Sequence, residues 1–154
     1  MTAEIRGDGH MTDRSGHCLC GAVSFTATDV KKGFGACHCK MCQRWAGAAM
    51  LAVTVPATEM RIWGQDSVRT RATSDWATRS WCDVCGSNLW YRLTTDGDAA
   101  AYEVPLGLFD DVSGFTLEQE IFVDQKSDAF ELKGDHARLT EAEVLRKFGL
   151  QTAT

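Results

Sequence analysis

Short runs of alternating apolar and polar residues dominate this chain, and turn-forming residues bound most of them. In GAVSFTA, Val23 and Phe25 alternate with Ser24 and Thr26, the two-residue period of a strand with one buried face. AAMLAVTVPATEMRIWG predicts one or two strands interrupted near Pro56, since proline has no N–H to give a ladder. SVRTRATSDWATRSWC predicts extended chain with a turn near Ser74 and Asp75, and SNLWYRLT, AYEVPLGLF and EQEIFVDQ complete the set. Helical spacing is scarce. KMCQRWAGA suits a turn or so after Cys39. TEAEVLRKFGL predicts a C-terminal helix, with Thr140 and Glu143 as a capping box and Val144, Leu145 and Phe148 as its apolar stripe.

These elements predict a single mainly β domain over residues 16–154, closed by a short C-terminal helix. Residues 1–15 are polar and lack periodicity, and read as a loose leader. A chain of 154 residues is long enough to bury a core. The N-terminal residues have no apolar run of the secretory kind, and no later run approaches the ~20 apolar residues of a membrane span. A cytoplasmic protein with no membrane association is expected.

Charge refines the picture. From residue 31 to 92 there are nine basic side chains against four acidic ones, whereas 94–135 holds eleven acids against Lys126 and Lys133. The basic residues are dispersed, without the Lys/Arg run that follows a nucleic-acid backbone, so no nucleic-acid partner is expected. A small anionic ligand and an ordinary solvated face both fit this distribution.

The candidate chemistry lies in seven cysteines. An odd number cannot all pair, and in a reducing compartment clustered thiols are more often metal ligands or redox groups than disulfides. CLCG at 18–21 and CDVCG at 82–86 share a Cys-Gly ending. A glycine there lets the backbone turn its N–H groups toward thiolate sulfur. Together Cys18, Cys20, Cys82 and Cys85 supply the four thiolates of a closed structural zinc site. Buried core thiols are the competing explanation for either pair taken alone.

The third group, CHCKMC, leaves Cys37, Cys39 and Cys42. A zinc ion with three protein ligands keeps a position open, the arrangement of catalytic sites. His38 lies between two of these cysteines and points away from both in an extended backbone, which suits a supporting role better than ligation. A redox pair of Cys39 and Cys42 is a rival, but it wants a helix start and explains neither Cys37 nor the other four cysteines. Three thiolates leave the zinc unit with a formal charge of −1. That favours holding a substrate thiolate over making hydroxide, and so chemistry at a carbon bonded to sulfur.

GHCLCGAVSF, CHCKMCQRWAGA and WCDVCGSNLW, in this order and spacing, resemble the glutathione-dependent formaldehyde-activating enzyme family, which also includes centromere protein V. The resemblance runs from about Gly16 to Leu132. It implies a zinc-containing β-tent of small antiparallel sheets and two zinc ions per chain. Cys18, Cys20, Cys82 and Cys85 match the structural ligands, and Cys37, Cys39 and Cys42 match those of the catalytic zinc. It also implies a carbon–sulfur lyase of the S-(hydroxymethyl)glutathione synthase kind, acting on glutathione and formaldehyde.

For the substrate wall, Lys40, Arg44 and Trp45 are candidates by their proximity to Cys39 and Cys42. His10, His17 and His136 have no assigned role. A small thiol such as glutathione is the expected partner. The alternative is a non-catalytic zinc module that binds a partner, in which protein atoms would fill the fourth position at the 37/39/42 metal.

Overall fold

A computed structural model of the chain describes residues 11–149. The described elements begin with β1 (Met11–His17), β2 (Ser24–Lys31), β3 (Gly33–Cys37), α1 (Lys40–Ala46), β4 (Met50–Val55) and β5 (Met60–Trp63). Then come β6 (Val68–Ser74), β7 (Ala77–Cys82), β8 (Asn88–Leu93), β9 (Tyr102–Pro105), β10 (Thr116–Ile121), β11 (Ala137–Leu139) and α2 (Glu141–Phe148). The chain is mainly β with a short C-terminal helix, as its alternation predicts. Its described residues fall into two compact units, 11–32 with Val53–Phe115 and Gly33–Ala52 with 116–149. Residues 11–15, expected in a loose leader, belong to β1, which pairs with β2 from Met11↔Lys31 to His17↔Ser24. A partner strand supplies the hydrogen bonds that their own polar sequence does not advertise. The rest of the expected leader, His10 included, lies outside the described residues.

In the first unit, β2 lies between β1 and β5, antiparallel to both. Its alternation is that of the sequence: Val23, Phe25 and Ala27 are buried and Ser24 and Thr26 half-buried. The Phe25 ring stands edge-on to Trp90 and Phe109, at centroid distances of 6.4 and 5.3 Å, in the geometry aromatic quadrupoles favour. β6, β7 and β8 form an antiparallel run continued by β9, and the β6–β7 turn falls at Asp75 and Trp76. Val68 lies opposite Cys82, so the end of β7 delivers that cysteine from a fixed ladder position.

In the second unit, β10 pairs in parallel with β3 on one side and β11 on the other, and β3 pairs antiparallel with β4. The two parallel pairings depart from the antiparallel expectation. They place Ile121 opposite both Cys37 and Leu139. The non-glycine Phe122 follows at φ 57°, a left-handed conformation that L side chains rarely adopt, and turns the chain into the 3-10 segment Val123–Gln125. α2 carries the expected capping box: the Thr140 hydroxyl accepts from the Glu143 N–H, and the Glu143 carboxylate accepts from the Thr140 N–H. Its apolar stripe is narrower than predicted. Val144 is buried, but Phe148, the last residue before the left-handed Gly149 cap, is 51% exposed.

Candidate metal centres

The first unit gathers Cys18, Cys20, Cys82 and Cys85, whose sulfurs all lie within 4.8 Å of one another. Two matching knuckles position them. The Cys18 N–H donates to the Val23 carbonyl at 3.0 Å, and the Cys82 N–H to the Ser87 carbonyl at 3.0 Å. Each first cysteine in turn accepts at its own carbonyl from the following glycine N–H, Gly21 at 3.1 Å and Gly86 at 2.8 Å. Both glycines have φ of +80°, the left-handed value that folds the knuckle back. The freed N–H groups point at sulfur: Val23 to Cys18 Sγ and Ala22 to Cys20 Sγ, each at 3.4 Å. Ser87 joins the knuckles, its hydroxyl accepting from the Leu19 N–H at 2.9 Å and lying 3.2 Å from Cys85 Sγ.

The sulfur spacing fits a metal and excludes a disulfide. Cys18 and Cys20 Sγ are 3.6 Å apart and Cys20 and Cys82 Sγ 3.8 Å, against ~2.05 Å for a disulfide. Four sulfurs disposed tetrahedrally at ~2.3 Å from a zinc ion lie about 3.8 Å from one another. Charge makes the same point. The Ser87 side chain and backbone hold the Cys85 thiol down to about 5. Cys20, despite the lowering hydrogen bond from Ala22, is pushed up to about 12 by desolvation and by its neighbouring thiols. Four crowded thiols cannot all ionise unless a cation neutralises them.

The second unit gathers Cys37, Cys39 and Cys42, again with all sulfurs within 4.8 Å. Cys37 ends β3, Cys39 caps the N-terminus of α1, and Cys42 is on its first turn with its N–H aimed at Cys39 Sγ at 3.4 Å. Hydrogen bonding to the Cys39 and Cys42 thiols, with burial, pushes the Cys37 thiol far above its ordinary range. Without a cation nearby the Cys37 thiol therefore keeps its proton. The helix start that a Cys39/Cys42 redox pair wants is present, yet the third sulfur shares the same cluster. Among the described residues no histidine or carboxylate joins this group as a fourth donor.

Neighbouring side chains hold the ligand turn in place. The Lys40 N–H donates to Gln125 Oε1 at 2.9 Å, and Gln43 Nε2 donates to the carbonyls of His38 and Gln125. Gln125 Nε2 reaches Glu141 at the start of α2, at 3.0 Å. Of the proposed wall residues, Lys40 and Arg44 are exposed on α1 four positions apart, hence on one side of the helix, and Trp45 is half-buried. Three other residues of the basic middle are committed to protein partners: Arg69 pairs with Asp83, Arg79 donates to the Thr73 hydroxyl, and Arg92 donates to the Asp98 and Ala100 carbonyls.

The histidines divide. His17 is exposed, with Nδ1 2.6 Å from the Cys18 carbonyl oxygen and Nε2 3.4 Å from Asp110. His38 is buried and turns from the sulfurs to Glu120, which also holds His136. Glu120 is not singled out by the sequence, where an acid within EQEIFV reads as a solvent-facing strand position. Gln43, Gln125 and Ser87 were also missed, and their amides and hydroxyl carry no pattern of their own.

The glutathione-dependent formaldehyde-activating enzyme family matches residues 13–125, a span that contains all seven cysteines. The chain belongs to that family. A protein of Schizosaccharomyces pombe described as an uncharacterized lyase is 24% identical over 136 residues, covering 88% of this chain and 97% of its own. A crystal structure of a Rhodobacter sphaeroides protein superimposes with a TM-score of 0.52 at 17% identity, covering 80% of this chain and 98% of that one. That likeness is one of fold. Among the described residues no helix is long and apolar enough to cross a membrane.

Proposed function

We propose that this family member is a zinc-dependent carbon–sulfur lyase that joins glutathione to formaldehyde, giving S-(hydroxymethyl)glutathione, and that it works in the cytoplasm. The observation that carries the reading is the second cluster: three sulfurs within 4.8 Å and no fourth protein donor among the described residues. Cys37, Cys39 and Cys42 would hold the catalytic zinc, and Cys18, Cys20, Cys82 and Cys85 a structural one. Zinc bound at the three-thiolate centre supplies stabilisation of a visiting thiol as its thiolate at neutral pH.

The chain's own residues then bind and orient. Lys40 and Arg44 would receive the two carboxylates of glutathione, and Trp45 would supply a wall for its backbone. The sulfur attacks the carbonyl carbon of formaldehyde, the C–S bond forms, and the C=O π pair moves to oxygen, which takes the proton that the thiol gave up. The reverse breaks the same bond. A free thiol with a pKa near ~8.5 is only a few per cent ionised at pH 7, so full ionisation raises the reactive fraction by roughly tenfold or more. Lower nucleophilicity of the stabilised sulfur offsets part of that gain.

The other reading, a zinc module that docks a partner, draws on the exposed apolar tips of the two knuckles, Leu19 at 85% and Val84 at 65%. Exchange NMR of adduct formation separates the two. Acceleration by the protein and not by a Cys39→Ser variant is expected. Equal rates with protein, with variant and with neither would remove the lyase reading in favour of the module. Acceleration with another small thiol and not with glutathione would change the substrate and keep the chemistry.

A further inference from the structure

We propose that Glu120 is a positioning residue for the three-thiolate centre, fixing His38 and through it the backbone that aims Cys37 and Cys39 at one metal ion. The proposal rests on the reading that these three thiols hold a metal, and adds to it a buried anchor drawn from two other strands.

Glu120 is 1% exposed and is the buried position of β10. One carboxylate oxygen lies 2.7 Å from His38 Nε2. The other lies 2.5 Å from His136 Nε2 and 3.1 Å from Arg138 Nε. An ionised carboxylate only accepts, so both rings present Nε2–H to it. Burial pushes the Glu120 carboxyl up, but the hydrogen bonds from His136 and His38 outweigh it and hold the group below its ordinary range. The Nδ1 atoms of both rings are buried without a hydrogen-bond partner. This is an expensive arrangement, because a well-packed apolar cluster of similar volume is often at least as stable as a buried ionic one. Its place in the fold suggests what it does.

His38 is the single residue between two ligands. Cys39 has extended backbone (φ −61°, ψ 154°), so side chains alternate, and a ring held on one side keeps the flanking sulfurs on the other. The His38 N–H donates to the Ile121 carbonyl at 3.0 Å, and its carbonyl accepts from Gln43. The Glu120 bond to the ring completes a three-point hold. Parallel pairing puts Glu120 opposite Ala36 on one side and Arg138 on the other, so the hold continues from β3 through β10 to β11. The ligand turn is thereby braced by a segment about one hundred residues further along the chain.

The test uses the full chain loaded with zinc or cobalt(II). Metal retention at the weaker site is read by competition with a chromophoric chelator, and ligand geometry by the cobalt d–d absorption. In Glu120→Gln the amide sets an N–H against a ring N–H. Metal affinity at the three-thiolate centre should fall roughly 10- to 100-fold, the usual cost of losing such outer support. The cobalt band should shift, with the four-thiolate metal and the circular dichroism retained. Val30→Ala, a core truncation in β2 of the first unit that carries none of the seven cysteines, should leave both readouts unchanged. An unchanged affinity in folded Glu120→Gln, or an equal loss in Val30→Ala, overturns the proposal. If Glu120→Gln does not fold, His136→Gln decides by the same criteria. A wild-type chain that holds metal there yet accelerates no adduct formation would refute the lyase reading alone.

Discussion

Replacing Cys82 by serine is the perturbation whose cost can be worked most directly from the structure. Cys82 is fully buried at the end of β7, and its sulfur lies 3.8 Å from that of Cys20, 62 residues earlier. A metal held by both therefore closes a long loop. Treated as a cross-link, closing 62 residues is worth about 4 kcal/mol of unfolded-state entropy. Structural zinc in small fingers contributes roughly 10–16 kcal/mol, against about 5–15 kcal/mol for the net stability of a whole domain. Serine keeps the knuckle's backbone bonds but is a poor ligand, so even the entropic part alone should lower the melting temperature by roughly 10–20 °C. Cys37, Cys39 and Cys42 lie within six positions, and a metal there closes almost no loop. Cys39→Ser should melt close to wild type while losing about one metal equivalent. Thermal melts followed by circular dichroism, with elemental metal analysis of the same samples, check both. If the two variants melt alike, the division into a structural four and an open three is wrong.

Two further predictions concern the scaffold. Burial raises the Glu103 carboxyl, against the lowering hydrogen bond from the Thr54 hydroxyl at 2.8 Å. A raised carboxyl contributes stability that is fully present below the unfolded pKa near ~4.3 and is lost as pH rises through the folded value. Glu103→Gln should therefore raise the melting temperature at pH 7 and leave it unchanged near pH 3; a stabilisation equal at both pH values would contradict this. Thr140→Ala removes half of the α2 capping box, whose hydroxyl accepts the Glu143 N–H at a long 3.4 Å. A loss toward the low end of about 0.5–2 kcal/mol in urea unfolding is expected, and no loss would mean that the helix is held by packing alone.

Features with a local signal were legible in the sequence. Val23 and Phe25 announce a half-buried strand by their spacing, Pro56 announces its break, and Thr140 with Glu143 announces a helix start. The two Cys-Gly knuckles could be paired across 61 intervening residues because both need the same left-handed glycine. Pairings with no local signal were not legible. Residues 11–15 are strand because β2 lies beside them, and nothing in their polar sequence says so. The parallel pairings of β10 depend on which distant strands flank it. Glu120 is the clearest case: an acid in a strand normally faces water, and only the fold brings His38, His136 and Arg138 around it.

The proposed lyase chemistry requires that a metal held by Cys37, Cys39 and Cys42 keep a place for a substrate sulfur. Zinc-edge X-ray absorption on protein loaded with two equivalents of zinc measures this by counting sulfur neighbours. Four sulfurs at one centre and three at the other average 3.5 per zinc. Saturating glutathione should raise the average to 4, at a Zn–S distance of ~2.3 Å. An average already at 4 before thiol is added, or one that stays at 3.5 after it, would contradict the claim.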